Sequence, residues 1–267
     1  MNKDVLADKP IGFFDSGAGG LTVLASAVKC LPNESFLYFG DTAHAPYGSR
    51  PVEDVRNLSV QAAEMLCRQG CKALVVACNT ATSAAVHVLR EMLPIPVIGM
   101  EPAVKPALAG GGKVLVMATP LTLKEEKFKA LCDRCGADES NVIVLPCPGL
   151  VEMVERGETE GPAVERALAQ LFAGADLTGV SAVVLGCTHY LFLRRALAGI
   201  LPADVKFVDG NLGTVKQLAR ILKKEGLLRE EKTSQTNVEI LSSGGEASVR
   251  LFKELFQKAL TEMEVYR

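Results

Sequence analysis

A buried strand that ends in a cysteine and leads into a helix occurs in both halves of this chain. The first copy is ALVVACNTATSAA at 73–85, and the second is AVVLGCTHYLFL at 182–193. Each half also opens with a strand and a polar turn, PIGFFDSGAGG at 10–20 and KVLVMATPLT at 113–122. This repeat predicts two similar α/β lobes.

Short apolar runs alternate with helical patterns along the whole chain, which is typical of parallel sheets covered by helices on both faces. The fold class is therefore α/β, with two pseudo-symmetric lobes that each hold a mostly parallel sheet flanked by helices. The predicted strands are 11–14, 36–40, 73–78, 113–118, 142–146, 182–187, 206–209 and 238–243. Helices are expected between them, one of them running from Pro51 to near Gly70. A capping box of Thr122 and Glu125 is expected to open another.

The pattern also predicts how the lobes divide the chain. The segment 94–102, with three prolines, is interpreted as a crossover, so that the second lobe takes 99–209. The first lobe takes 1–98 and 210–267. The tail strand and the helix over 246–260 have no counterpart before residue 210, and we expect them to fold back onto the first lobe.

Composition excludes several classes of protein. With 267 residues, 48% of them hydrophobic, the chain can bury a large core. The 29 Lys and Arg against 31 Asp and Glu give a net charge of −2, so neither nucleic acid nor an anionic membrane is an expected partner. No apolar run approaches the roughly 18 residues of a membrane span, and the first residues lack a signal sequence. A cytoplasmic protein whose eight cysteines are reduced thiols is expected.

The polar residues that follow the predicted strands are the candidate functional groups, because ligands of open parallel sheets bind at the carboxyl ends of the strands. These residues are Asp15, Ser16, Asn79, Thr80, Thr119, Thr188 and His189. If the lobes face each other, Cys78 and Cys187 point into one cleft from opposite sides. Such a pair suits inversion at carbon, in which one thiolate removes a proton and the opposite thiol donates one. Asp15 and His189 would hold and tune the two thiols.

Four motifs carry a resemblance to a known family: FDSGAGG at 14–20, GDTAHAPYG at 40–48, ACNTAT at 77–82 and GCTHY at 186–190. In their order and spacing the chain resembles the glutamate racemases, the cofactor-independent members of the aspartate/glutamate racemase superfamily. The resemblance extends from Pro10 to about Gly244. It implies interconversion of L- and D-glutamate, without pyridoxal phosphate or a metal ion, to supply D-glutamate for peptidoglycan. It also implies a homodimer.

The resemblance further assigns roles to individual residues. Cys78 and Cys187 resemble the two catalytic thiols, and Asp15 and His189 the residues that assist them. Around the substrate's ammonium and carboxylate groups it places Ser16, Asn79, Thr80, Thr119, Thr122 and Thr188, with Tyr47 and Gly48 near the side-chain carboxylate. A family glutamate that contacts the ammonium group best matches Glu155, although Glu152 lies on the same helical face.

Other interpretations remain open at this point. The substrate could be aspartate or a broader set of acidic amino acids, which an assay of both acids would distinguish. The chain could also be a non-catalytic amino-acid or anion-binding module, although the paired cysteines argue against it. The glycines of DSGAGG lack the spacing of a dinucleotide-binding loop and the lysine of a P-loop. The pair Cys132 and Cys135 has no second ligand pair, so the end of an amphipathic helix is favoured over a zinc site.

Overall fold

Two parallel sheets form the framework of the protein. The structure, a computed structural model, describes residues 6–229 and 236–262. In chain order the strands are β1 Ile11–Asp15, β2 Phe36–Gly40, β3 Ala73–Val76, β4 Val97–Gly99, β5 Lys113–Ala118, β6 Val142–Pro146, β7 Val180–Leu185, β8 Lys206–Val208 and β9 Val238–Ser242. The first sheet has the order β4-β3-β1-β2-β9 and the second the order β6-β5-β7-β8. The expected fold class is therefore confirmed.

Helices flank both sheets. They are α1 Leu21–Cys30, α2 Val52–Arg68, α3 Asn79–Met92, α4 Val104–Leu108, α5 Pro120–Lys124, α6 Glu126–Cys135, α7 Leu150–Glu155, α8 Pro162–Phe172, α9 Arg194–Ala198, α10 Asn211–Glu225 and α11 Glu246–Glu262. Short 3₁₀ turns cover Thr42–His44, Tyr47–Ser49 and Thr188–Leu193. The central strands β1, β3 and β5 consist almost entirely of buried residues because helices cover both of their faces.

The tail strand β9 lies at the edge of the first sheet. It pairs in parallel with β2, with Tyr38 opposite Ile240, and Phe252 of α11 packs edge-on against Tyr38. A chain segment remote in sequence thus forms the outer edge of the sheet that carries β1 and β3. This position brings the loop after β9 beside the loop after β2, since both strands end on the same side.

The two passages of the chain between the sheets contact each other. One follows β4 and the other joins β8 to α10. A Cβ atom on Gly210 would lie 2.8 Å from the carbonyl oxygen of Glu101, closer than a real side chain can approach. Glycine at this position therefore allows the two passages to cross.

Two local expectations differ from the structure. The 94–102 segment is not only a crossover, because Val97–Gly99 pairs with β3 as an edge strand. The capping box of Thr122 and Glu125 is wrong: Thr119 is the N-cap of α5, and its hydroxyl accepts a hydrogen bond from the Thr122 N–H at 3.3 Å. Pro120, at the first helical position, explains the earlier start of the helix.

The helical boundary after each cysteine strand also differs between the halves. Cys78 is the N-cap of the 14-residue α3, whereas Cys187 leads into the 3₁₀ turn. Both strands end two residues before their cysteine. All eight cysteines are free thiols. In the described parts of the chain, no helix is both long and apolar enough to cross a bilayer.

Candidate active site

The carboxyl ends of four strands, two from each sheet, meet in one enclosed polar site. Asp15 ends β1 and Cys78 follows β3, while Thr119 follows β5 and Cys187 follows β7. Both cysteines are almost completely buried, with exposed fractions of 6% and 7%. The sequence-predicted residues at these strand ends therefore lie together, in an arrangement that is closed to solvent.

Cys78 sits at the start of α3 with hydrogen-bond donors around its sulfur. The Ala81 N–H donates to Sγ at 3.4 Å, and the Ser16 hydroxyl lies 3.6 Å away. Burial, reinforced by the negative charge of Asp15, raises the pKa of this thiol to about 12, although the two hydrogen bonds act in the opposite direction. In the ligand-free site Cys78 is therefore a thiol, and it needs a nearby positive charge to become a base.

Cys187 has a different partner, an imidazole. Its Sγ lies 3.7 Å from Nδ1 of His189, and Nε2 of His189 lies 2.6 Å from Oε1 of Glu155. Burial alone would lower the pKa of His189, but the interactions with Cys187 and with the Glu155 carboxylate outweigh it and raise the pKa well above the usual value. His189 is therefore an imidazolium near neutral pH, a cation that favours a thiolate beside it.

Asp15 links the two lobes from the end of β1. Its carboxylate accepts hydrogen bonds from the Gly17 N–H at 2.8 Å and from the Thr188 hydroxyl, which belongs to the second lobe, at 3.1 Å. Burial is the largest cause that raises the pKa of Asp15, to about 6, and the positive charge of His189 partly offsets it. A carboxyl with this pKa can hold or release a proton close to physiological pH.

Replacing Asp15 by asparagine is expected to stabilise the ligand-free fold near neutral pH. Because the folded-state pKa of about 6 exceeds the usual 3.8, the fold loses stability as pH rises through this interval. Two pH units correspond to about 3 kcal/mol. Urea unfolding should show D15N to be more stable than the wild type at pH 8 and similar to it at pH 4. A wild type as stable as the variant at pH 8 would contradict the raised pKa.

Three threonine hydroxyls form a second polar cluster across the lobes. The Oγ1 atoms of Thr80, Thr119 and Thr122 lie 2.9 to 3.1 Å from one another. Each hydroxyl can both donate and accept, so this cluster can rearrange to donate to a bound carboxylate. Because its hydroxyls are neutral, the cluster would hold such a carboxylate by hydrogen bonds without a salt bridge.

Three buried polar atoms in the site have no hydrogen-bond partner. They are Nδ2 and Oδ1 of the Asn79 amide and Oε2 of the Glu155 carboxylate. Leaving such groups unpaired costs roughly 1–3 kcal/mol each. An amide with a free donor and acceptor, together with a free carboxylate oxygen, fits a ligand that carries both ammonium and carboxylate groups.

Glu155, rather than Glu152, reaches this group of residues. Its Oε1 accepts from the Ala18 N–H at 2.6 Å as well as interacting with His189. The approach is close enough that a Cβ on Gly17 would overlap the Glu155 carboxylate. Glu152 makes no contact of this kind and is partly exposed.

Tyr47 and Gly48 form a wall of the site on the first lobe. A Cβ on Gly48 would lie 2.6 Å from Cβ of Thr119, so the loop touches the threonine cluster directly. The Tyr47 hydroxyl points to Asp41 instead, donating at 2.7 Å. Burial, followed by the charge of Asp41, raises the pKa of Tyr47, which therefore stays protonated.

Several contacts in and around the site were not expected from the sequence. These are the Ala18 N–H on Glu155, the hydroxyl of Thr188 on Asp15, and the contacts of Asp41 and Ser243 behind Tyr47. Asp41 belongs to the GDTAHAPYG motif and could have been singled out there. The other contacts join segments remote in sequence and leave no local pattern. Within residues 6–229 and 236–262, no group of three or more His, Cys, Asp or Glu side chains is placed to hold a metal ion.

Comparisons with known proteins agree with this fold. The Asp/Glu/Hydantoin racemase model matches residues 20–218, so the chain belongs to this racemase family. Its relatives include the glutamate racemase of Clostridium kluyveri, which is 51% identical over 221 residues, 81% of this chain and 85% of the relative.

Solved structures give the same result. The glutamate racemase of Thermus thermophilus in complex with β-chloro-D-alanine has a TM-score of 0.77 and 39% identity, over 93% of each chain. That of Francisella tularensis in complex with D-glutamate has a TM-score of 0.80 and 31% identity, over 96% of this chain and 94% of that one. The two-lobe α/β arrangement is thus shared nearly from end to end.

Proposed function

We propose that this protein interconverts L-glutamate and D-glutamate by proton transfer between its two buried cysteines and the Cα atom of the substrate, without a cofactor. The observation that carries the proposal is the pair of thiols at equivalent strand ends of the two lobes, inside one polar site. Identity of 51% to a glutamate racemase, and similarity to a structure solved with D-glutamate, support glutamate as the substrate.

In this mechanism each thiol works on one face of the substrate. One thiolate removes the α-proton from one enantiomer, and the opposite thiol donates a proton to the other face. The charge that develops on the substrate is carried mainly by its carboxylate. Hydroxyls of the threonine cluster and the amide of Asn79 are suited to donate to that group.

The substrate itself supplies what Cys78 lacks in the ligand-free site. Its ammonium group would bring a positive charge between Asp15 and Ser16, next to the sulfur. Such a charge lowers the cost of forming the thiolate. On the other side, the imidazolium of His189, held by Glu155, already faces Cys187.

The lobes are proposed to open for substrate entry and to close for catalysis. Because the site residues are buried, contacts between the lobes must break before glutamate can enter. One of them is the hydrogen bond from the Thr188 hydroxyl to the Asp15 carboxylate. The units expected to move are 1–98 with 210–267 against 99–209, about the two crossing passages near Glu101 and Gly210. Closure would then exclude water from the reacting centre.

We propose that the D-glutamate produced enters peptidoglycan synthesis and that the protein acts in the cytoplasm as a homodimer. The resemblance to the glutamate racemases supports this cellular role, because the D-glutamate that they make is used to build peptidoglycan.

The proposed reaction is tested by incubating the purified protein with L-glutamate in deuterated water. We expect D-glutamate to appear with deuterium at Cα, because protons on the thiols exchange with solvent. Polarimetry measures the inversion, and proton NMR measures the label. Retention of the original proton in the product would exclude transfer through a thiol.

The same assay with L-aspartate tests the choice of substrate. Racemisation of glutamate alone supports the narrow assignment, while equal rates on both acids would replace it with a broader acidic amino-acid racemase. Binding of glutamate without any exchange at Cα would instead favour a non-catalytic binding module.

A further inference from the structure

Ser243 lies directly after β9, the strand that has no counterpart in the second lobe. Its hydroxyl donates to Oδ1 of Asp41 at 2.7 Å and accepts from the Ala43 N–H at 3.0 Å. Its own N–H donates to the carbonyl oxygen of Gly40 at 3.2 Å. This one residue therefore fixes both the backbone and the side chain at the start of the loop that follows β2.

Asp41 transmits that contact along the loop. Its carboxylate is buried, with 4% of the residue exposed, and its Oδ2 accepts from the Tyr47 hydroxyl at 2.7 Å. The Nδ1 atom of His44 lies 2.9 Å from Oδ1. A buried carboxylate is stable only where donors satisfy it, so Asp41 holds the two ends of this loop at a set separation.

The loop in turn forms one wall of the candidate active site. Gly48 follows Tyr47, and it is packed so closely on Thr119 that no Cβ could be added without displacing that side chain. Thr119 belongs to the cluster of three threonine hydroxyls. A small displacement of the loop therefore changes both the shape of the site and the contact between the lobes.

We propose that Ser243 is a positioning residue for substrate binding, acting through Asp41 on the wall formed by Tyr47 and Gly48. The inference rests on the proposed function, since it takes this wall to be part of the glutamate site. It assigns a role to the tail of the chain: β9 delivers a hydroxyl that the two-lobe repeat by itself does not supply. Ser243 touches no reacting atom, so its removal should weaken binding more than it slows proton transfer.

The test is the steady-state kinetics of Ser243→Ala in the full-length protein. We expect the KM for glutamate to rise about tenfold, the equivalent of losing one hydrogen bond to a charged group, and kcat to change less than about twofold. Ser243→Thr keeps the hydroxyl and should restore the KM. A change confined to thermal stability, with the KM as in the wild type, would overturn the inference.

Ser242→Ala is the matched control. Its hydroxyl contacts Thr42 and Gly244 but not Asp41, so its KM should stay at the wild-type value. A rise in KM as large as that of Ser243→Ala would also overturn the inference, because it would assign the effect to the loop as a whole. If Ser243→Ala does not fold, Tyr47→Phe removes the hydrogen bond between Tyr47 and Asp41 instead. An unchanged KM in that variant would likewise overturn the inference.

Failure of this inference differs from failure of the proposed function. A wild type that racemises glutamate, combined with a Ser243→Ala variant of unchanged KM, removes only the positioning role. A wild type without racemisation removes the proposed function itself.

Discussion

Cys78→Ser and Cys187→Ser should each lower the rate of glutamate racemisation by at least about a thousandfold. A serine hydroxyl is a far weaker acid than a cysteine thiol, so its alkoxide forms far less readily than a thiolate. Serine and cysteine have similar volumes, so the packing should be kept. The comparison is made by polarimetry on variants whose melting temperatures match the wild type. Cys30→Ser, which changes an exposed cysteine outside the site, should leave the rate unchanged.

The two variants should differ in which enantiomer still exchanges its α-proton. Each keeps one thiol, and a lone thiolate can remove a proton from one face, exchange it with solvent and return it to the same face. Cys78→Ser is therefore expected to place deuterium in one enantiomer of glutamate, and Cys187→Ser in the other, without inversion. Near-normal inversion by either variant, or exchange of the same enantiomer by both, would contradict a two-thiol mechanism.

His189→Asn should lower the kcat/KM for racemisation by about a hundredfold. The variant removes the imidazolium that lies 3.7 Å from the sulfur of Cys187 and leaves the Glu155 carboxylate without its partner. Because L- and D-glutamate are equally stable, kcat/KM must fall by the same factor in both directions. The asymmetry should appear instead in the isotope effect of glutamate deuterated at Cα.

The isotope effect identifies which proton transfer has become slow. In His189→Asn it should grow in the direction in which Cys187 is the base and change little in the other. Glu155→Gln, which retains a side chain of the same size, should also raise the isotope effect in the direction in which Cys187 is the base, but by less than His189→Asn. Isotope effects that stay equal in both directions would show that His189 does not assist proton transfer by Cys187.

These expectations depend on an asymmetry that the repeat conceals. Cys78 and Cys187 follow equivalent strands, yet one has a carboxylate and a hydroxyl as neighbours and the other an imidazolium. The positive charge beside Cys187 belongs to the protein, whereas in the proposed mechanism the charge beside Cys78 arrives with the ammonium group of the substrate. In the ligand-free protein we therefore expect Cys78 to stay protonated until a positively charged group binds beside it.

Much of the fold could be predicted because parallel strands buried on both faces consist of continuous apolar runs. Such runs located eight of the nine strands in the described residues and the repeat that relates the lobes. The missed strand, Val97–Gly99, has only three residues among prolines and glycine, and its pairing with β3 comes from tertiary contact. The capping box predicted for Thr122 and Glu125 requires the Glu125 side chain to accept from the Thr122 N–H. That N–H instead donates to the hydroxyl of Thr119, one turn earlier.

By itself the sequence determined which residues come near the ends of the strands, because apolar runs mark where each strand stops to within about two residues. Both cysteines, Asp15, Thr80, Thr119 and Thr188 were found in this way, whereas Thr122 came from the family resemblance. Only the tertiary structure decided which of these side chains meet: that Glu155 rather than Glu152 reaches His189, and that Ser243 supports Asp41. Those contacts join segments far apart in the chain, and they depend on how the lobes pack, which no local pattern of residues encodes.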